Sequence, residues 1–187
     1  MKRAGTQPIE TQRLLLRRFA QSDAEEVYQN WASDAEVTRY MLWLPHKDMN
    51  ETRAILRAWE ESYAKEGYYH WAIVRKTDGV LMGSLGILWH DGGADGAGRK
   101  GYEPGYCLGR AFWGQGYASE ALCAALAYFV ADTGVDTLQC CHAVANPASG
   151  RVMEKAGFCF VRMGSYTGPD GAEVPAKFYL YHHKERQ

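Results

Sequence analysis

Two short runs of this sequence carry residue types that bind or react. The first is Phe112-Trp113-Gly114-Gln115-Gly116-Tyr117-Ala118-Ser119, set between a strand-like segment and a helix-like one. Gly114 and Gly116 let the main chain turn tightly and approach a ligand closely. At a helix start, successive N–H groups point the same way with no internal partner, and the helix dipole adds partial positive charge. That combination suits a phosphate or pyrophosphate, to which Ser119 adds a hydroxyl donor. Two glycines before a helix also describe a plain turn. No Lys-Ser or Lys-Thr follows them, as a Walker loop requires, and there is no G-x-G-x-x-G dinucleotide fingerprint. The second run is Asn146-Pro147-Ala148-Ser149. Asn146 reads as a helix N-cap with Pro147 at the first helical position. Its functional reading gives Asn146 a bound amide chain to hold and places the Ser149 hydroxyl near reacting atoms.

The elements that must position these runs follow from periodicity. Arg13 to Phe19 reads as a first strand, with Leu14 and Leu16 alternating against Arg13 and Arg17. Ser22 and Glu25 form a capping box for a helix to Trp31. Ile55, Trp59 and Tyr63 lie on one face of a helix over 50–65 that Gly67 ends. Strands follow at Tyr69 to Arg75 and Val80 to Trp89, joined by the Asp78-Gly79 turn. After a Gly-rich loop from Asp91 to Gly101 comes a fourth strand, Tyr102 to Leu108. Ala118, Leu122, Ala125, Leu126 and Phe129 make a helical stripe that stops near Gly134. Then come a strand over 137–145, a short helix over 147–156, a strand over 158–166, a turn at Pro169-Asp170-Gly171 and a last strand over 176–182. The middle strands suggest antiparallel hairpins, and the later strand–helix–strand crossings suggest parallel neighbours. The expected fold is α/β, with a mixed central sheet and helices on both faces.

The chain has 187 residues, 47% hydrophobic and 23% charged, which fits one packed domain, expected over 9–183. Its 21 Lys and Arg against 22 Asp and Glu leave a net charge of −1, so no basic excess exists to hold a nucleic acid. No apolar run approaches the ~20 residues of a membrane span. The charged start does not resemble a secretory signal, so a cytoplasmic location without membrane attachment is expected. Cys107, Cys123, Cys140, Cys141 and Cys159 are odd in number and contain no C-x-x-C pair. They read as buried reduced thiols, with no zinc site or other metal site and no disulfides. His142 reads as structural and His182 and His183 as solvated, while His46, His70 and His90 show no ligand spacing. Trp31, Trp43, Trp59, Trp71 and Trp89 are expected mostly in core or pocket walls.

Taken together, the two runs resemble the GNAT family of acetyl-CoA-dependent N-acetyltransferases. The likeness is to the branch of RimJ/RimL-type ribosomal-protein alanine acetyltransferases. Trp113 to Ala118 with Ser119-Glu120-Ala121 is similar to that branch's pyrophosphate loop. Asn146, Ser149 and the stretch Glu154 to Phe158 match its later motifs, and Glu10-Thr11-Gln12-Arg13-Leu14 resembles its first strand. The likeness runs from about Ile9 to Tyr181. Trp113 stands where the wider family usually has Gln or Arg, and Ala176-Lys177 where the branch often has Asp.

The resemblance implies a sheet splayed between the fourth and fifth strands, with the pantetheine arm of acetyl-CoA in the gap. Its amides would pair with the main chain of Tyr106, Cys107 and Leu108 as an added strand. The pyrophosphate would lie on Gly114, Gln115, Gly116, Tyr117, Ala118 and Ser119, with Asn146 and Ser149 also at the cofactor. It implies Glu103 as the base that takes the amine's proton. Ser149 would serve the departing thiolate and the Leu108 amide the carbonyl oxygen. The segment Tyr40-Met41-Leu42-Trp43-Leu44-Pro45 would line the acceptor pocket. The acceptor would be a primary amine, either a protein N-terminus such as a ribosomal protein's or a small molecule, taken by a monomer or homodimer. A non-catalytic acyl-CoA-binding module and a nucleotide binder of another class are the competing readings.

Overall fold

The computed structural model describes residues 3–91 and 100–183. Among these described residues, eight strands form two antiparallel sheets. The first has the order β1 (Ile9–Glu10), β2 (Leu14–Arg17), β3 (Tyr69–Arg75), β4 (Leu81–Asp91), β5 (Lys100–Leu108). The second has the order β6 (Thr137–Ala143), β8 (Glu173–His182), β7 (Cys159–Thr167). Side-chain alternation sends opposite faces of β3 into two cores. Tyr69, Trp71 and Ile73 pack with Leu122, Ala125 and Phe129 of helix α4 (Tyr117–Thr133). Ala72 and Val74 pack with Val27, Trp31 and Leu56 on the other face. Leu56 belongs to helix α3 (Met49–Ser62), which the Asp48 carboxylate caps by accepting from the Asn50 and Glu51 N–H groups. Gly134, with φ +67°, ends α4 by donating its N–H to the Val130 carbonyl at 2.9 Å.

Several expectations need correction. The first helix is not one regular element: a 3₁₀ turn (Gln21–Asp23), helix α1 (Ala24–Val27) and a π-helical turn (Tyr28–Ala32) follow one another. Ser22 does not cap it. The Asp23 carboxylate is held by Arg17 at 2.7 and 2.9 Å and accepts from the Ala20 N–H at 2.9 Å, which winds this entry tightly. A short helix, α2 (Ala35–Thr38), was not read from the sequence. The β6–α5–β7 crossing, with α5 at Pro147–Lys155, does not join parallel neighbours, because β8 inserts between β6 and β7. Cys123 and Cys159 are exposed, not buried. Trp89 is half exposed. Residues 92–99 of the expected Gly-rich loop lie outside the described residues; Asp91 and Lys100 on either side are paired across β4 and β5.

No ladder joins β5 to β6 among the described residues. The two sheets touch where the Cys140 thiol meets the Pro104 carbonyl at 3.2 Å, and a cleft between them is lined by β5 from Glu103 to Leu108 and by β6 from Cys140 to Ala143. Helix α5 presses on β6 so closely that a Cβ at Gly150 would lie 2.5 Å from His142 Nε2. His142 is buried, with Nδ1 2.7 Å from the Ala143 carbonyl, so its ring has little room to yield. Gly150→Ala is therefore expected to destabilise the fold by about 1–2 kcal/mol, the overpacking cost exceeding the helix-propensity gain. A thermal melt reads this as a fall of about 2–8 °C.

Candidate active site

A cleft of about 790 Å³ opens between the sheets where β5 and β6 separate. Its walls carry Glu103, Tyr106, Cys107 and Leu108 from β5, and Asn146 and Ser149 from the start of α5. Trp113, Gly114, Gly116, Ala118 and Ser119 close one end. The separate runs of the sequence thus meet in one place.

Register decides which main-chain groups face the gap. Gly109 N–H donates to the Met82 carbonyl at 2.9 Å, and Gly83 pairs with Leu108, Ser84 with Cys107 and Leu85 with Tyr106. Antiparallel pairs alternate between bonded and non-bonded. Tyr106 and Leu108 therefore turn their N–H and C=O away from β4, toward β6. Cys107 turns back: its carbonyl lies 2.1 Å from where a Cβ on Gly83 would stand. This corrects the expectation that Cys107 offers main-chain partners to a ligand; it offers a side-chain wall. Burial pushes its thiol up to about 12, so it stays protonated. The Leu108 carbonyl accepts from Trp113 Nε1 at 2.7 Å, which fixes the indole at the mouth of the turn.

Gly114 and Gly116 both adopt left-handed backbone, at φ +74° and +82°, conformations that side-chain-bearing residues rarely take. Glu120 N–H donates to the Gly116 carbonyl at 3.1 Å, so the N–H groups before it in the turn make no intrahelical bond. The side chains of Gln115 and Tyr117 do not line the cleft. Gln115 Nε2 donates to the Ala111 carbonyl at 2.8 Å, and Tyr117 is buried with the Arg13 guanidinium 4.4 Å from its ring centre. Tyr117 can serve a ligand only through its backbone, and the exposed Gln115 side chain is turned back on Ala111.

Arg13 also donates to the Gln115 carbonyl at 3.0 Å and to the Glu120 carboxylate at 2.7 Å. Glu120 further accepts from Thr11 Oγ1 at 2.6 Å and from the Arg13 N–H at 2.9 Å. Burial raises the Glu120 carboxyl, but these hydrogen bonds and the Arg13 charge outweigh it and hold the group below the usual carboxylate range. The clamp is thus intact at neutral pH and is lost as pH falls through that lowered value.

The Asn146 carboxamide oxygen accepts from the Ser149 N–H at 3.3 Å, so the capping role is present. Its Nδ2 donors and the second lone pair of its oxygen are left for a ligand. The Tyr106 hydroxyl donates to the Ser149 carbonyl at 2.9 Å and stands 2.9 Å from Ser149 Oγ. Burial pushes the Tyr106 phenol well above its ordinary range. Sequence reasoning assigned Tyr106 a main-chain role alone, whereas its phenol reaches Ser149 from β5, 43 residues away in the chain. Glu103 is half-buried, lines the cleft opposite Leu88 and shares a strand face with Gly105 and Cys107. From the Tyr40–Pro45 segment, Tyr40, Met41, Leu42 and Trp43 line this cleft, whereas Leu44 and Pro45 line a smaller one of about 250 Å³. Among the described residues, no cluster of three metal-ligating side chains occurs, and no helix is long and apolar enough to cross a membrane.

The site's parts suit a ligand with a diphosphate and an amide-bearing arm: a turn whose N–H groups lack intrahelical partners follows, across the 3₁₀ turn Arg110–Phe112, a strand with outward main chain. Comparison with known proteins supplies the family. The acetyltransferase (GNAT) domain family matches residues 13–159. The chain is 35% identical over 112 residues to p20, an uncharacterized N-acetyltransferase of Bacillus licheniformis, a match spanning 60% of each chain. A GNAT-family acetyltransferase from Bacillus anthracis has the same fold, with a TM-score of 0.77 at 24% identity over 94% of this chain and 98% of that one. So does RimL, a ribosomal L7/L12 alpha-N-protein acetyltransferase solved with coenzyme A, with a TM-score of 0.75 at 18% identity over 94% and 98%. Acetyl-CoA is the acetyl donor of the matched family. On the match over most of its length, this chain belongs to the GNAT acetyltransferase family.

Proposed function

We propose that the chain, as one domain over 9–183, transfers the acetyl group of acetyl-CoA directly to a primary amine. The observation that carries this reading is the continuity of the site. The outward main chain of Tyr106 and Leu108, the 3₁₀ turn Arg110–Phe112 and the Gly114–Ser119 turn follow one another along the chain, and Glu103 and Ser149 line the same cleft. Bound there, acetyl-CoA supplies an activated thioester. The N–H groups around Gly114 and Gly116 would hold its diphosphate, with the Ser119 hydroxyl beside them. The Leu108 N–H would steady the carbonyl oxygen as it gains charge.

Glu103 would take the proton that leaves the amine nitrogen, directly or through a water, as the N–C bond forms. As the C–S bond breaks, the Ser149 hydroxyl, 2.9 Å from the Tyr106 phenol, would hydrogen-bond the leaving thiolate, which takes its proton from solvent while Glu103 gives its own back to solvent. The protonated Cys107 thiol is no nucleophile, which favours direct attack over an acetylated enzyme. RimL acts on a ribosomal protein's N-terminus. For this chain, a protein N-terminus and a small amine are both acceptors to test.

The test has two readouts. Acetyl-CoA at 100 times its Kd should stabilise the protein by about 2.7 kcal/mol, a rise of about 5–11 °C, while ATP and NAD should not. Release of CoA thiol should then require an added amine, in a panel of small amines and Ala- or Ser-starting peptides. Equal stabilisation by ATP, or tight acetyl-CoA binding without transfer to any amine, would overturn the reading.

A further inference from the structure

On the face of the first sheet that carries Glu103, two glycines lie opposite each other. Gly86 of β4 pairs with Gly105 of β5. A Cβ on Gly105 would meet nothing within 4 Å. A Cβ on Gly86 would meet His70 Cδ2 at 3.1 Å. The sheet is therefore bare at Gly105, a patch of backbone open to the cleft, while at Gly86 the His70 ring stands against the backbone and walls that side of the floor. Glu103 and Leu88 flank it at one end and Cys107 and Ser84 at the other. The two ends are separated by about 13 Å along the strand, four residues at about 3.3 Å each.

The Ser84 end is polar and uncharged. Ser84 Oγ lies 2.8 Å from His70 Nε2, and His70 Nδ1 lies 3.4 Å from the Tyr68 hydroxyl. All three residues line the cleft. The His70 ring is buried and packed edge-on against Trp59, with ring centres 4.3 Å apart. Burial holds its pKa down to about 3, so the imidazole is neutral at physiological pH. A neutral ring offers one donor and one acceptor, and the Ser84 hydroxyl turns to suit whichever faces it. Trp43 and Trp59 add aromatic walls. The acetyl-transfer scheme uses none of these groups.

We propose that the Gly86–Gly105 floor is the seat of the acceptor amine's carrier group, and that Ser84, held by His70, is the positioning residue that orients it by a neutral hydrogen bond. The substrate class that fits is a primary amine on an aromatic or apolar body. The ammonium end is drawn toward Glu103, and the uncharged body lies along the floor. A second positive charge on the floor would meet a neutral wall and aromatic carbon, the cleft's other carboxylate, Glu36, being on α2 and not on this sheet, so polyamines are poor substrates. This inference rests on the acetyltransferase reading above.

The test uses the full chain, acetyl-CoA, tryptamine and spermidine, with CoA thiol release as readout. The wild type should turn over tryptamine with a kcat/KM at least tenfold above that for spermidine. Gly105→Val fills the floor with a strand-favouring residue in open space. It should leave the melting temperature and the acetyl-CoA Kd unchanged and cut tryptamine kcat/KM at least 100-fold. Ser84→Ala should raise the tryptamine KM about three- to tenfold with kcat held within twofold, and Ser84→Thr should restore most of it. A merely structural role would not separate KM from kcat in this way. Spermidine equal to or better than tryptamine overturns the proposal, as does turnover by Gly105→Val within threefold of wild type. So does a Ser84→Ala defect confined to kcat. Absence of acetyl-CoA binding by the wild type would instead strike the acetyltransferase reading itself, and this inference with it.

Discussion

Glu103→Gln should lower kcat by about 10²–10⁴-fold while the acetyl-CoA Kd stays within twofold. The substitution keeps the shape and removes the proton-accepting charge. Most amines are protonated at neutral pH, and only the neutral form attacks a thioester. If Glu103 takes the proton, the variant must wait for the amine to lose it to solvent. Its deficit should then shrink as pH rises toward the amine's own pKa. Steady-state rates from pH 6.5 to 9.5, with calorimetry for cofactor binding, check both parts. A uniform deficit at every pH would assign Glu103 to shape and not to proton transfer.

Gly116→Val should raise the acetyl-CoA KM by about 100-fold or more. The φ of +82° excludes a β-branched residue without strain, and a Cβ there would stand 3.4 Å from Arg13 Nη2. Relieving the strain rotates the peptide and turns its N–H groups away from the diphosphate. Hydrogen bonds to a charged group are worth about 1.5–3 kcal/mol each, and each 1.4 kcal/mol is a factor of ten in binding. The matched control is Gly134→Ala. Gly134 is also left-handed, at φ +67°, but it lies at the far end of the same helix with nothing within 4 Å of its Cβ position. It should lose comparable stability and keep its acetyl-CoA affinity. Equal losses of affinity in both variants would place the effect in the helix and not in the turn.

What could be read from the sequence was local. The Tyr69–Arg75 strand, the Asp78-Gly79 turn and the stripe of α4 up to Gly134 each announce themselves within a dozen residues, and the structure has them there. The segment Gln21–Ala32 misled because its conformation is set by Arg17 gripping Asp23, not by a cap at Ser22. The β8 strand between β6 and β7 broke an expectation that chain order alone suggests. In the site, the glycine turn and Asn146–Ser149 were visible as motifs. The Tyr106–Ser149 contact, the outward turn of the Tyr106 and Leu108 main chain, and the His70–Ser84 pair were not. Each depends on strand register or on packing between elements far apart in the chain.

The Arg13–Glu120 clamp has a consequence in time as well as in space. Its two partners are 107 positions apart. A ribosome adding about 5–20 residues per second leaves the first waiting roughly 5–20 s for the second to be made. In that interval β3, β4 and β5 are made, so β2 can pair with β3 before the clamp's second partner exists. The diphosphate turn thus takes its working shape late in biosynthesis, after most of the first sheet has already emerged.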